Sequence, residues 1–139
     1  MTYTLDFTAQ ALINLYPIRA SSTNAAPDAF DWREKDVVST VKDQASCGSC
    51  WAFATCANLE GLYYLNKKVM KDFSPQHLVD CDTIDAGCNG GLMENAFTWI
   101  KESGGIMLED DYPYVGYKQT CKEDKTKYVD MTVTGYVKL

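Results

Sequence analysis

A chain of 139 residues, 46% hydrophobic and 23% charged, can bury one core and is too apolar to remain disordered. Its net charge of −6 and pI of about 4.6 exclude nucleic acid and anionic membrane surfaces as natural partners, since both select basic patches. No apolar run approaches the roughly 20 residues needed to span a bilayer. Met1–Leu15 also lacks the basic start and continuous apolar stretch of a signal peptide.

In chain order, Leu5, Phe7, Leu12, Ile13 and Leu15 make a short amphipathic segment, and Arg19–Pro27 is small and polar. The latter reads as an exposed, cleavable linker, either a disordered tail or the end of a removable pro-segment. Apolar patterning resumes at Phe30-Asp31-Trp32-Arg33. Val37, Val38 and Val41 predict a short extended piece before a turn at Gly48. From Ser49 the pattern is helical: Cys50, Phe53, Ala54, Ala57, Gly61 and Tyr64 recur at three- and four-residue intervals. Ser49 is the predicted cap, Lys67 and Lys68 suit the C-terminal end, and so apolar a helix is expected to be buried. Ser74 and Pro75 open a second helix. Leu92–Lys101 form a third, ended by Gly104-Gly105. Beyond Asp111-Tyr112-Pro113-Tyr114 the chain turns to loops. Val129, Met131 and Val133 then alternate as a strand, and the blunt apolar end at Val137-Lys138-Leu139 predicts a truncated domain.

Six cysteines predict disulfides, an oxidising compartment and a reactive thiol. Zinc is not expected: Cys47 and Cys50 have no second tight pair, Cys81 and Cys88 are seven apart, and His77 has no partner histidine. No metal or other cofactor is predicted. Chemistry concentrates in Gln44-Ala45-Ser46-Cys47-Gly48-Ser49-Cys50-Trp51. A cysteine in the first turn of a helix is favoured as thiolate, and its own N–H lacks an intrahelical acceptor. With the Gln44 amide, that N–H could receive an oxyanion. The plain alternative is that Cys50 is buried or disulfide-bonded and inert.

Cys47-Gly48-Ser49-Cys50-Trp51 resembles the active-site signature of papain-like cysteine proteases, the cathepsin L type in particular. Phe30-Asp31-Trp32-Arg33, Ser74-Pro75-Gln76-His77-Leu78-Val79-Asp80-Cys81, Gly87-Cys88-Asn89-Gly90-Gly91-Leu92 and Asp111-Tyr112-Pro113-Tyr114 extend the resemblance over about residues 28–139. It implies an α+β fold with a helical left lobe and the first strand of the right lobe, the right-lobe β-barrel being absent. Residues 1–26 would be a pro-segment remnant and linker, and 27–139 an incomplete peptidase domain. The resemblance makes Cys50 the nucleophile and Gln44 the oxyanion donor. Gly90 and Gly91 would hydrogen-bond an extended peptide, and Leu92 and Met93 would line the pocket for the second residue before the cut. Trp51 joins this substrate-binding set and packs behind the catalytic helix. Cys47 would pair with Cys88 and Cys81 with Cys121, leaving Cys50 and a buried Cys56. The implied substrate is a peptide or protein, in a lysosomal or secreted setting.

The family places its catalytic His and Asn about 130–150 residues after the cysteine, whereas this chain ends 89 residues after Cys50 (139 − 50). The chain is therefore expected to lack both and to hydrolyse peptides poorly alone. His77 is expected to be a surface or satisfied structural residue. The exposed lobe face would bind a missing C-terminal half or a second copy. The alternatives are a non-catalytic peptide- or inhibitor-binding left-lobe protein, and a disulfide-rich domain with an inert Cys50.

Overall fold

The computed structural model describes residues 27–137 and the backbone of Thr4–Leu5; the pro-segment and linker expected over 1–26 otherwise lie outside the described residues. The helices are α1 (Cys50–Lys67), α2 (Pro75–Cys81) and α3 (Met93–Ser103). Among the described residues the sheet is one parallel pair, β1 (Thr4–Leu5) beside β2 (Thr132–Val133), with Leu5 opposite Val133. No barrel forms among them. Short 3₁₀ turns cover Trp32–Lys35, Gly87–Asn89 and Lys125–Lys127.

Helix α1 buries Trp51, Ala52, Thr55, Cys56, Leu59 and Glu60, which follow the helical spacing of one face. Its other side leaves Ala54, Ala57 and Asn58 exposed, so the helix is half-buried rather than enclosed. Every residue of α2 is buried. Ser74 caps it by accepting the His77 N–H at 2.9 Å, while donating its own proton to the Tyr112 carbonyl at 2.6 Å. Leu59, Phe73, Leu78, Val79, Ala96, Ile100 and Ile106 meet in one core. Each large member contributes about 1.5–3 kcal/mol by leaving water. Met131 and Val133 close the same core from the chain's last described segment. Disulfides Cys47–Cys88 and Cys81–Cys121 tie α1's approach to the 87–89 turn and the end of α2 to the late loops.

The extended piece expected at Val37–Val41 is a loop without ladder bonds. The reason is a polar anchor. Glu60, 1% exposed, accepts Lys42 Nζ at 2.6 Å, the Ser39 hydroxyl, and the Phe73 N–H at 3.0 Å. A buried carboxylate must be satisfied, and doing so fixes this segment against α1 despite its β-branched residues.

His77 is fully buried, so it is structural and not a surface residue. Its Nδ1 accepts the Met107 N–H at 3.2 Å, and its ring lies among Trp99, Tyr112 and Tyr128. Burial pushes its pKa down to about 4, against the opposing pull of Glu123 3.7 Å away.

Candidate active site

The approach to α1 is a closed turn. The Cys47 N–H returns to the Gln44 carbonyl at 3.4 Å, with Ala45 in the left-handed region at φ 52°. The Cys47 carbonyl gathers the Gln44 side-chain amide at 2.9 Å and the Ser49 N–H at 2.8 Å. The Gly48 N–H donates to the Cys88 carbonyl at 2.9 Å, beside the disulfide. Cys50 leaves this clamp as the first residue of α1, with a free and exposed thiol.

Ser49 takes the cap position, but its side chain does not cap. Its buried hydroxyl instead meets the Tyr114 hydroxyl at 2.7 Å. The Ser49 carbonyl accepts the Ala52 and Phe53 N–H groups, and the Cys50 N–H has no acceptor among the described residues. An exposed sulfur and an unclaimed N–H therefore share one helix start, where the helix dipole favours anions. Gln44 uses one amide N–H on Cys47 and retains the second.

A wall rises beyond the disulfide. Gly90 spends its groups internally, accepting from Ala86 at 3.0 Å and donating to Gly87 at 3.4 Å. Gly91 makes no hydrogen bond among the described residues through either backbone group. A Cβ on Gly91 would lie 2.7 Å from both Trp51 Cδ2 and Asp85 Cγ, so only glycine allows this approach. Trp51 is 3% exposed and donates its indole N–H to the Gly87 carbonyl at 3.1 Å. The substrate-contact role expected for it gives way to support beneath Gly91. Asp85 is a further support, accepting the Leu92 N–H at 3.0 Å and the Asn95 amide at 2.9 Å. Leu92 and Met93 are exposed, and Met93 borders an open groove of about 320 Å³ with Ala54, Phe97 and Tyr136. Leu92 stands outside that groove.

Beside Asp85, Asp82 is 1% exposed, and one oxygen of each carboxylate is buried without a hydrogen-bond partner. Burial and the neighbouring carboxylate push Asp82 up to about 6. Cys56 is buried on the inner face of α1, and burial raises its thiol pKa well above the usual value, which removes it as a nucleophile.

The sequence profile described as papain family cysteine protease matches residues 26–139. The chain belongs to the papain family of cysteine proteases. It is 50% identical over 113 residues to cathepsin F of Drosophila melanogaster, covering 81% of this chain and 18% of that protein. It is 52% identical over 116 residues to cysteine proteinase 15A of Pisum sativum, covering 77% of this chain and 32% of the relative. Among solved structures, digestive procathepsin L2 from Tenebrio molitor larval midgut aligns with a TM-score of 0.74 and 37% identity, covering 78% of this chain and 35% of that one. The proform of the ragweed pollen allergen Amb a 11 aligns at 0.72 and 50% identity, over 81% and 35%. The chain thus spans well under half the length of these relatives, and its described residues form the helical lobe of the papain-like fold. Tyr114 was legible only as part of a family landmark, and nothing local marks Asp85 as the floor of the glycine wall.

Proposed function

We propose that this chain supplies the nucleophile and oxyanion site of a cysteine endopeptidase. Cys50 attacks the scissile carbonyl carbon as thiolate; an S–C bond forms and the C=O π pair moves onto oxygen. The Cys50 N–H and the second Gln44 N–H receive that oxyanion. Collapse breaks the C–N bond, releases the amine and leaves a thioester, which water hydrolyses. Gly91, rather than Gly90, offers its free backbone groups to an extended peptide, and Met93, without Leu92, receives an apolar side chain two residues before the cut. The thiol proton and the amine's proton need an acid–base group that the described residues do not bring to Cys50, since His77 is buried in the core. The open side of α1, with exposed Val38, Val41, Ala54 and Ala57, is the face for a second lobe or a second copy. Two disulfides suit a lysosomal or secreted setting.

The observation that carries this reading is the exposed thiol beside an unclaimed N–H at the start of α1. Iodoacetamide at pH 6 is expected to label Cys50 and spare Cys56, read by peptide mass spectrometry. Equal labelling of both, or of neither, would overturn it. The 139-residue chain alone is expected to turn over a dipeptidyl fluorogenic substrate slowly or not at all; ordinary protease rates would refute the need for an outside base. That same need favours a second reading, a peptide-binding lobe that does not cleave. Peptide binding at Gly91 without labelling of Cys50 would support it.

A further inference from the structure

We infer that Tyr114 is a positioning residue of the oxyanion site, its hydroxyl clamping the Gln44 main chain to Ser49, the residue before Cys50. The inference rests on the proposed acyl-transfer role of Cys50 and Gln44. The Tyr114 hydroxyl lies 2.8 Å from the Gln44 carbonyl and 2.7 Å from Ser49 Oγ. A carbonyl can only accept, so Tyr114 donates to Gln44 and Ser49 donates to Tyr114. One phenol therefore grips both ends of the turn that separates the amide donor from the sulfur. It reaches there from 65 and 70 residues away.

Tyr114 is itself braced. Its N–H donates to the Glu109 carboxylate at 2.7 Å, and its ring meets Phe53 of α1 edge-on at 4.8 Å. The ring contact needs no hydroxyl, whereas the clamp does. Without it, Ser49, buried at 0% exposure, keeps only a 3.4 Å approach to the Cys47 carbonyl. The main chain of Gln44 could then shift relative to Cys50, and a displacement of about 1 Å is enough to weaken a catalytic arrangement severely.

A peptide aldehyde and iodoacetamide distinguish this role. Aldehyde addition forms an S–C bond, breaks the C=O π bond and places the thiol proton on the former carbonyl oxygen, which then occupies the oxyanion site. Alkylation displaces iodide at a saturated carbon and makes no oxyanion. In the intact chain, Tyr114→Phe is expected to weaken the acetyl-Phe-glycinal adduct about tenfold while the Cys50 alkylation rate stays within about twofold. Ser49→Ala should weaken the adduct in the same sense, and the double variant should lose no more than Tyr114→Phe alone. An unchanged adduct in Tyr114→Phe or Ser49→Ala, or parallel loss of both reactivities, overturns the inference while leaving Cys50's role standing. If the wild-type chain alkylates at Cys50 but forms no adduct, the oxyanion reading fails and takes this inference with it.

Discussion

Gly48 sits directly against the carbonyl of Cys88: its N–H donates there at 2.9 Å, and a Cβ would stand 2.5 Å from the same oxygen. The obstacle is backbone, and the Cys47–Cys88 bridge holds both strands of chain in place. Gly48→Ala is therefore expected to cost about 1–3 kcal/mol, as overpacking does. Urea denaturation followed by tryptophan fluorescence measures this; a change within 0.5 kcal/mol (roughly the scatter of neutral surface substitutions) would show that the contact relaxes freely.

His77 and Asp82 should make stability respond to acid in opposite directions. His77 titrates near its ordinary 6.5 when unfolded and near 4 when folded. The unfolded chain then binds more protons between those values, so stability is full above pH 6.5 and declines as pH falls towards 4. The stake is about 3 kcal/mol. Asp82 titrates near its ordinary 3.8 when unfolded and near 6 when folded. Here the folded chain binds more protons on the Asp82–Asp85 pair, so stability rises as pH falls from 6 to 3.8. The groups facing His77 are Glu123, Asp80, Tyr112 and Tyr128; Asp82 faces Asp85. His77→Gln should gain stability with acid, and Asp82→Asn should lose it. Parallel profiles for the two variants would refute the opposition.

Ala45 holds φ at 52°, a conformation costing an L-residue about 1–3 kcal/mol, within the turn that carries Gln44. Glycine relieves that strain but frees the unfolded chain by about 0.4–1 kcal/mol. Ala45→Gly should therefore stabilise by about 1 kcal/mol, read as a higher urea midpoint with unchanged slope. A lower midpoint would mean that this turn is unstrained.

The Cys81–Cys121 bridge closes a separation of 40 residues between the end of α2 and an exposed loop. Chain-entropy reasoning gives such a loop about 4 kcal/mol of stabilisation through the unfolded state. The paired substitution Cys81→Ala with Cys121→Ala should lower stability by about 2–5 kcal/mol and leave Cys50 alkylation at pH 6 unchanged. Loss of selective Cys50 labelling in a variant that remains folded would tie this bridge to the active site.

Several features could be read from the residues alone because they rest on local rules. The starts of α2 and α3, the glycine that ends α3, and the long apolar pattern of α1 follow from caps and periodicity over a few residues. The placement of Cys50 at a helix start belongs to the same class. Long-range contacts decided the rest. Val37–Val41 lost its strand to Glu60 on α1, Trp51 took the Gly87 carbonyl beneath Gly91, and Ser49 turned from its own helix to Tyr114. The physical reason is common to all three. A short segment has several local conformations within about a kilocalorie of one another, and the need to satisfy a buried carboxylate, hydroxyl or indole from a distant part of the chain outweighs that margin.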